Sequence, residues 1–224
     1  MRAAALTSRF EADSMNFRLW FGEVVLPKMK KLTRSFYERP AAEVAPDLIG
    51  KILVRRTRGR MYRARIVEAE AYVGSHDLAC HASKGRTKRT EVMFGAGGHA
   101  YVYLIYGMYE MFNIVASRKG DAQAVLIRAA EPLDGWKADL SGPGKLTRAL
   151  KITRSQNGLD LTKNELFALD ASDCPPQIER SKRIGVEYAQ EWKDALLRFF
   201  DANSRAVSKR SETRCRPVEK RDEK

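Results

Sequence analysis

The stretch KILVRRTRGRMYRARIVEAEAYVG, residues 51–74, decides the fold. It holds two runs rich in branched and aromatic residues, KILVRRT and MYRARIVEAEAY, which are separated by Arg58-Gly59. A short glycine-containing break between two such runs is typical of an antiparallel hairpin. In the second run Tyr62, Ala64 and Ile66 alternate with arginines, which indicates a strand with one face toward a core.

The chain around this hairpin continues to alternate strand-like and turn-like segments. Three more strands are predicted in AYVYLIYG, MFNIVAS and QAVLIRAAEP. AAEVAPDLIGK predicts a short helix closed by Gly50, and SGPGKLTRALKIT predicts a turn and then a short helix. RIGVEYAQEWKDALLRFF has a helical middle and an apolar end that could close the sheet. Antiparallel strands with helices outside indicate an α+β fold.

The length of 224 residues suits a single domain with flexible ends. Residues 1–30 carry little pattern, and Met15 or Met29 could be the true start, so we expect a flexible extension there. Residues 31–201 form the expected domain. Residues 202–224 are basic, polar and nearly free of large apolar side chains, which predicts a disordered tail.

The composition excludes some classes of protein. A net charge of +13 and a pI near 9.8 indicate a polyanionic partner, although a basic protein without such a partner stays open. No apolar run is long enough to span a membrane, and no signal peptide is recognisable. Three scattered cysteines, Cys80, Cys174 and Cys215, predict a reducing compartment and no disulfide framework. We expect a cytoplasmic monomer, associated with the nucleoid if bacterial.

Two carboxylates stand out in the segment VEAEAYVG. The period of a strand places Glu68, Glu70 and Tyr72 on one face. Two carboxylates on a buried face are costly unless they are paired or used, so one could be a general base. The alternative is an edge strand whose glutamates face solvent, and the pattern alone does not decide between the two.

The long loop VGSHDLACHASKGRTKRTEVMFGAGGH has the length of a functional or mobile segment. His76, Cys80 and His81 lack the fuller ligand set and the second cluster of a zinc site, so no metal is predicted. The basic residues of SKGRTKR can grip phosphates or form a solvated surface. SGPGKLT lacks the upstream glycine and the hydroxyl residue after the lysine that a phosphate loop needs.

Tyrosines are concentrated in YVYLIYGMYEMFN, residues 101–113. Tyr101 and Tyr103 share a strand face, and Tyr106 precedes a glycine at the end of that strand. Packing explains any one of them, yet a tyrosine ring also stacks well on a nucleobase. Asn113 adds a hydrogen-bond donor and an acceptor.

The motifs RIVEAEAYVGSHDLACHASKGRT, MFGAGGHAYVYLIYGMYEMFNIV, AVLIRAAEPLDG, SGPGKLTRALKIT and RIGV occur in this order. Together they resemble the alkyladenine (3-methyladenine) DNA glycosylase family found in mammals and many bacteria, over about residues 34–200. The resemblance implies one α+β domain with a curved antiparallel sheet flanked by helices, like the C-terminal domain of formyltransferases. It implies no metal or other cofactor, and the release of damaged purines from duplex DNA without backbone cleavage.

The resemblance also implies roles for individual residues. Glu70 matches the general base, and Arg128 matches an arginine beside the catalytic water and the DNA backbone. Tyr72 and Tyr103 match the aromatic residues on the two faces of the flipped base. His81 matches the pocket histidine, and Asn113 matches the asparagine that disfavours the guanine amine. Tyr106 matches the side chain that fills the gap in the DNA.

Some features fall outside this pattern or favour another reading. Tyr101 is interpreted as packing, Glu68 as a support of the site, and Glu110 as an unusual carboxylate near the DNA. The alternative function is a non-catalytic nucleic-acid-binding protein of the same fold, although a pure binder needs no pocket carboxylate. A metal-dependent nuclease is disfavoured because no acidic metal cluster is visible.

Overall fold

The protein is described from a computed structural model that covers residues 29–171 and 175–208. These residues contain one antiparallel sheet with the strand order β3-β4-β5-β2-β1-β6, and β8 extends it by pairing with β2 and β7. The strands are β1 Ile52–Thr57, β2 Arg60–Tyr72, β3 Ala100–Ile105, β4 Tyr109–Ala116, β5 Gln123–Pro132, β6 Leu166–Leu169, β7 Ile178–Ser181 and β8 Arg198–Asp201. The α+β prediction is confirmed: a curled antiparallel sheet carries a few short helices.

The predicted hairpin forms as expected. Thr57 pairs with Arg60, and Arg58 and Gly59 have φ of 49° and 70°. Two central residues with positive φ make a type I′ turn, whose twist matches that of the strands. β2 is the longest strand and the centre of the sheet, because β5 pairs with one edge while β1 and then β8 pair with the other.

A β-bulge in the middle of β2 changes which side chains face the core. The pairing with β5 shifts between Ile66 and Glu68 and again between Glu68 and Ala69. Ala64 and Ile66 lie in the main core before the bulge, and Ala69 and Ala71 lie in it afterwards. A bulge adds one residue and so reverses the alternation of side chains. Glu68 therefore leaves the core face that strict alternation from Ile66 would have given it.

Three short helices cover the core face of the sheet: α1 Arg34–Tyr37, α2 Ala41–Leu48 and α3 Pro143–Leu150. Val44, Leu48, Leu146 and Leu150 from these helices are fully buried in the main core. The predicted helix end at Gly50 agrees with its φ of 86°. No helix within 29–171 and 175–208 is long and apolar enough to cross a membrane.

The predicted loop after β2 contains two turns of 3-10 helix, His81–Lys84 and Glu91–Phe94. A second apolar cluster, which includes Cys80, Met93 and Tyr101, attaches this loop to β3, β4 and β5. The loop therefore holds a fixed position over the sheet edge.

The C-terminal boundary predicted at residue 201 is wrong. Residues 202–208 pack against the domain, and Ala202, Ser204 and Val207 are buried. The low apolar content of this segment predicted disorder, but its hydrogen bonds to the sheet hold it in place. Residues 1–28, the rest of the predicted tail, Cys174 and Cys215 lie outside the described residues.

Candidate active site

A cavity of about 320 Å³ opens between the β3–β4 hairpin, the loop after β2 and the segment after β7. Tyr72 and Arg128 reach it from the middle of the sheet. Its lining is largely aromatic and apolar with a few polar groups, which is typical of a small-molecule site. The main lining residues are Tyr72, Cys80, His81, Met93, Tyr101, Tyr103, Tyr106, Met111, Asn113, Leu126, Arg128, Ile184, Val186 and Tyr188.

Glu70 lies directly behind this lining and is fully buried. Its Oε2 accepts hydrogen bonds from the Tyr72 hydroxyl (3.0 Å) and from Arg128 Nη1 (3.3 Å). Its Oε1 accepts one from the backbone N–H of Ile184 (2.8 Å). Tyr72, Arg128 and Ile184 also line the cavity, so the carboxylate is separated from it by a single layer of side chains.

Burial raises the pKa of Glu70 above its ordinary value, while Arg128, the Ile184 N–H and the Tyr72 hydroxyl act in the opposite direction. A carboxylate with a raised pKa is a stronger base than an exposed one. Burial and the negative charge of Glu70 also raise the pKa of Tyr72, so its hydroxyl stays protonated and continues to donate to Glu70. The surroundings of Glu70 thus raise its pKa, which makes its carboxylate a suitable group to accept a proton.

A second buried carboxylate, Glu68, binds Arg128 through the Nε atom of the arginine. Arg128 Nε and Arg198 Nε donate to Glu68 Oε1 at 2.9 and 2.8 Å. The two glutamates and the two arginines form a nearly neutral buried cluster on one face of the sheet. Paired charges of this kind avoid the large cost of an isolated buried ion. The exposed-edge alternative for these glutamates is therefore wrong.

Three rings form one wall of the cavity. The rings of His81 and Tyr103 meet edge to face with their centroids 4.6 Å apart. His81 Nδ1 is 2.9 Å from the Tyr101 hydroxyl, so that contact fixes the orientation of the imidazole. Burial and nearby Arg89 lower the pKa of His81 to about 4. His81 is therefore neutral near pH 7, and its Nδ1 is engaged with Tyr101.

A fully buried ion pair fastens the opposite wall. Arg183 donates to both carboxylate oxygens of Asp77, with Nη2–Oδ1 at 2.9 Å, and also to the carbonyl oxygen of Ala71. Its guanidinium lies 4.9 Å from the ring centroid of Tyr72. Asp77 also accepts the backbone N–H groups of Val73 and Ala79. This pair joins the loop after β2 to the segment that carries Ile184.

The sequence model of the family described as Methylpurine-DNA glycosylase (MPG) matches residues 35–205, which include every element of this cavity. The chain belongs to the methylpurine-DNA glycosylase family. It is therefore a DNA glycosylase, a hydrolase of base-excision repair that acts on DNA.

Individual relatives agree with this family assignment. A protein of Legionella pneumophila with the name "Putative 3-methyladenine DNA glycosylase" is 49% identical over 182 residues, which are 81% of this chain and 100% of that protein. Proteins with the same name from Methanocella arvoryzae and Myxococcus xanthus are 48% and 47% identical. These alignments cover 82% and 81% of this chain and 98% and 95% of the relatives.

The glycosylase brings all the predicted site residues to one place. Six of them line the cavity, namely Tyr72, His81, Tyr103, Tyr106, Asn113 and Arg128. The seventh, Glu70, lies immediately behind the lining. Asn113 is buried, and its Nδ2 donates to the carbonyl oxygen of Tyr101 at 3.1 Å. Among the described residues there is no group of His, Cys, Asp and Glu that could hold a metal ion.

Tyr106 lies at the rim of the cavity, at the tip of the β3–β4 hairpin, and is 82% exposed. Tyr106 and Gly107 have φ of 52° and 69°, and the Met108 N–H closes the turn on the Ile105 carbonyl oxygen. Positive φ is strained for a bulky residue, and such strain is found preferentially at functional sites. The glycosylase thus holds a large aromatic ring in solvent, beside its cavity, on a strained turn.

Sequence reasoning missed several residues of the site. The packing role predicted for Tyr101 is confirmed, because its ring is buried in the second apolar cluster, but the sequence does not show that its hydroxyl also contacts His81. Asp77 and Arg183 were not singled out because they are 106 positions apart and only the fold brings them together. Two of the quoted motifs contain the pair, because RIVEAEAYVGSHDLACHASKGRT includes Asp77 and RIGV includes Arg183 and Ile184. Glu110 pairs with Arg154 at 3.2 Å and lies outside the cavity lining.

Proposed function

We propose that this glycosylase hydrolyses the N-glycosidic bond of alkylated or deaminated purines of the 3-methyladenine, hypoxanthine and ethenoadenine type. The nucleotide turns out of duplex DNA into the cavity, and an abasic site remains in the DNA. The observation that carries the proposal is the buried Glu70 carboxylate, held by Arg128 behind an aromatic cavity of about 320 Å³. That volume lies at the low end for ligand sites, which suits one nucleobase.

Extrusion of the base is supported by the geometry of the rim and the wall. A base inside the duplex exposes neither face to an enzyme, so the nucleotide must leave the stack at a cost of a few kcal/mol. Tyr72 and Tyr103 offer new stacking surfaces, and neutral His81 and Asn113 offer hydrogen bonds. Exposed Tyr106 is placed to fill the gap in the stack. An alkylated, electron-poor purine is favoured further by electron-rich rings.

Glu70 then acts as the general base. Within residues 29–171 and 175–208, Oε1 accepts one hydrogen bond, so it retains a lone pair for the proton of a water molecule. The hydroxyl bonds to the anomeric carbon, the proton passes to Glu70, and the base leaves with the electrons of the glycosidic bond. The carboxylate charge also stabilises the oxocarbenium character of the transition state. Because Glu70 is fully buried, the lining residues must separate to admit water.

A hydrolytic route is supported over a covalent one. A bifunctional glycosylase needs an amine that forms a Schiff base with the sugar. No lysine is among the described residues that line the cavity. We therefore expect an intact strand with an abasic site as the product. We also propose that the enzyme acts as a monomer on its duplex. The positive charge supplies phosphate contacts whose affinity falls steeply as salt rises.

An end-labelled duplex with one hypoxanthine or ethenoadenine tests the proposal. The duplex is incubated with the protein and EDTA, and half of each sample is then treated with alkali. We expect strand cleavage only after alkali, since only an abasic site is alkali-labile. No cleavage in either half would support the alternative of a non-catalytic DNA-binding protein. Cleavage without alkali, suppressed by EDTA, would indicate a metal-dependent nuclease.

The variant Glu70→Gln tests the catalytic assignment. Gln keeps the shape of the side chain but cannot take a proton, so excision should fall by about 10²–10⁴-fold, the typical contribution of a general base. Binding to the same duplex, measured by fluorescence anisotropy, should be retained. Glu43→Gln, an exposed change on α2, is the matched control and should excise normally. Excision by Glu70→Gln at the rate of the unmodified protein would refute this role.

A further inference from the structure

We propose that Ser208 is a positioning residue of the active site, a role that rests on the proposed function of Glu70. Ser208 lies in the segment 202–208, where the sequence predicts only a disordered tail. Its backbone N–H donates to Glu68 Oε2 at 2.6 Å, and its hydroxyl donates to Glu68 Oε1 at 2.8 Å. Arg128 Nη2 donates in turn to the Ser208 hydroxyl at 3.4 Å.

These contacts place Ser208 at the base of a chain that ends at the reacting group. Ser208 holds Glu68, Glu68 holds Arg128 through Nε, and Arg128 reaches Glu70 through Nη1. A guanidinium is a rigid planar fork, so fixing its Nε end and one Nη fixes the direction of the other Nη. The Ser208 hydroxyl contacts both Glu68 and Arg128, and it therefore fixes the orientation of the Arg128 guanidinium.

The rest of the segment explains why Ser208 can serve this purpose. Ser204 and Val207 are buried, and the Ser204 hydroxyl bonds Glu131 at 2.5 Å. The Ser204 N–H also bonds the carbonyl oxygen of Asp201 at the end of β8. The segment is thus anchored before it reaches Glu68, and Ser208 arrives at a defined position. Groups that orient a metal ligand commonly change activity by about 10–100-fold when removed, and by analogy we expect an effect near the lower end for a group that orients Arg128.

The variant Ser208→Ala removes the hydroxyl and leaves the backbone N–H, Arg128 and Arg198 on Glu68, so the fold should be retained. Single-turnover excision of hypoxanthine is measured across the pH range. Loss of alignment weakens the interaction of Arg128 with Glu70, so Glu70 ionises at higher pH and the acid limb of the rate profile moves upward. We expect about a tenfold lower rate on that limb, the effect of one hydrogen bond to a charged group, and convergence at high pH.

Three companion variants separate positioning from packing. Ser208→Thr retains the hydroxyl and should restore the original profile, whereas Ser208→Cys fills the same space with a weak donor and should behave like Ser208→Ala. Ser204→Ala removes the bond to Glu131 but keeps the Ser204 N–H bond to Asp201 and the burial of Val207, so Ser208 stays in place and the pH profile should be unmoved. A purely structural role would lower the rate equally at every pH in proportion to lost stability.

The outcomes distinguish this proposal from the proposed function. If the unmodified protein does not excise, the proposed function fails. If it excises and folded Ser208→Ala or Ser208→Cys has the unmodified acid limb and rate, the role of Ser208 is refuted. A shift of the limb in Ser204→Ala equal to that in Ser208→Ala would also refute it, because the effect would then belong to the segment and not to the hydroxyl.

Discussion

The buried pair Asp77–Arg183 allows a quantitative test of how the cavity wall is held. The variant Asp77→Asn keeps the size and shape of the side chain but removes its charge. Both side chains are completely inaccessible to solvent, and Arg183 donates two hydrogen bonds to Asp77. The Asn amide can accept from Arg183 at one atom only, and its NH₂ group then faces a donor. Arg183 is left as a buried cation without its hydrogen-bonded counter-charge.

The size of the effect follows from this burial. Removing one partner of a buried ion pair costs about 3–5 kcal/mol, because the remaining ion is neither solvated nor paired. Domains of this size have a free energy of unfolding of about 5–15 kcal/mol, so the variant should lose a large part of it. The cavity wall that carries Ile184 should loosen as well, since Arg183 no longer binds the loop after β2.

Urea unfolding followed by tryptophan fluorescence measures the loss, and excision of ethenoadenine measures the effect on the site. The matched control is Asp194→Asn, which breaks the pair of Asp194 with Lys182, the neighbour of Arg183. That pair is 54% and 62% exposed, so its removal should change the free energy of unfolding very little. If Asp77→Asn unfolds at the same urea concentration as Asp194→Asn, the buried pair does not hold the wall.

Three further predictions concern single side chains. Tyr106→Gly relieves a positive φ and removes an exposed ring, so the urea midpoint of unfolding should stay the same or rise. Excision and duplex binding should both fall. Excision equal to that of the unmodified protein would exclude the gap-filling role. Burial raises the pKa of Glu70, so the rate of excision should rise with pH through a value above the ordinary 4.5. The stability that the protonated acid contributes to the fold at low pH should be lost over the same interval. A flat rate–pH profile would contradict this. Tyr101→Phe removes the 2.9 Å contact with His81, so KM for the lesion duplex should rise with the urea midpoint nearly unchanged, and an unchanged KM would show that the imidazole needs no such support.

The pH dependence of His81 should differ from that of an ordinary histidine. Burial and Arg89 lower its pKa to about 4, so NMR titration should detect no His81 transition near 6.5. The depressed value means that the stability of the folded protein associated with neutral His81 is present above pH 6.5 and is lost as the pH falls toward 4. A transition near 6.5 would show that the imidazole is solvated in the free enzyme.

Much of the fold could be predicted because it depends on local chemistry. The period-2 pattern of MYRARIVEAEAY and the Arg58-Gly59 break specify a hairpin without reference to the rest of the chain. The order of the motifs was sufficient to indicate the family, which the match to residues 35–205 confirms. The predicted site residues could be named for the same reason, since each stands inside one of those motifs.

The sequence by itself thus determined strands β1 to β5, the family and the candidate residues, whereas the short strands β6 and β7 and the choice of which groups act together were decided by the tertiary structure. Strict alternation would keep Glu68 on the core face of β2, and only the bulge after Ile66 turns it to the other face. Ser208 reaches Glu68 across 140 positions, and Arg183 reaches Asp77 across 106. Short-range patterns fix geometry along a strand, but contacts between distant segments depend on how the whole sheet curls, and no local pattern contains that information.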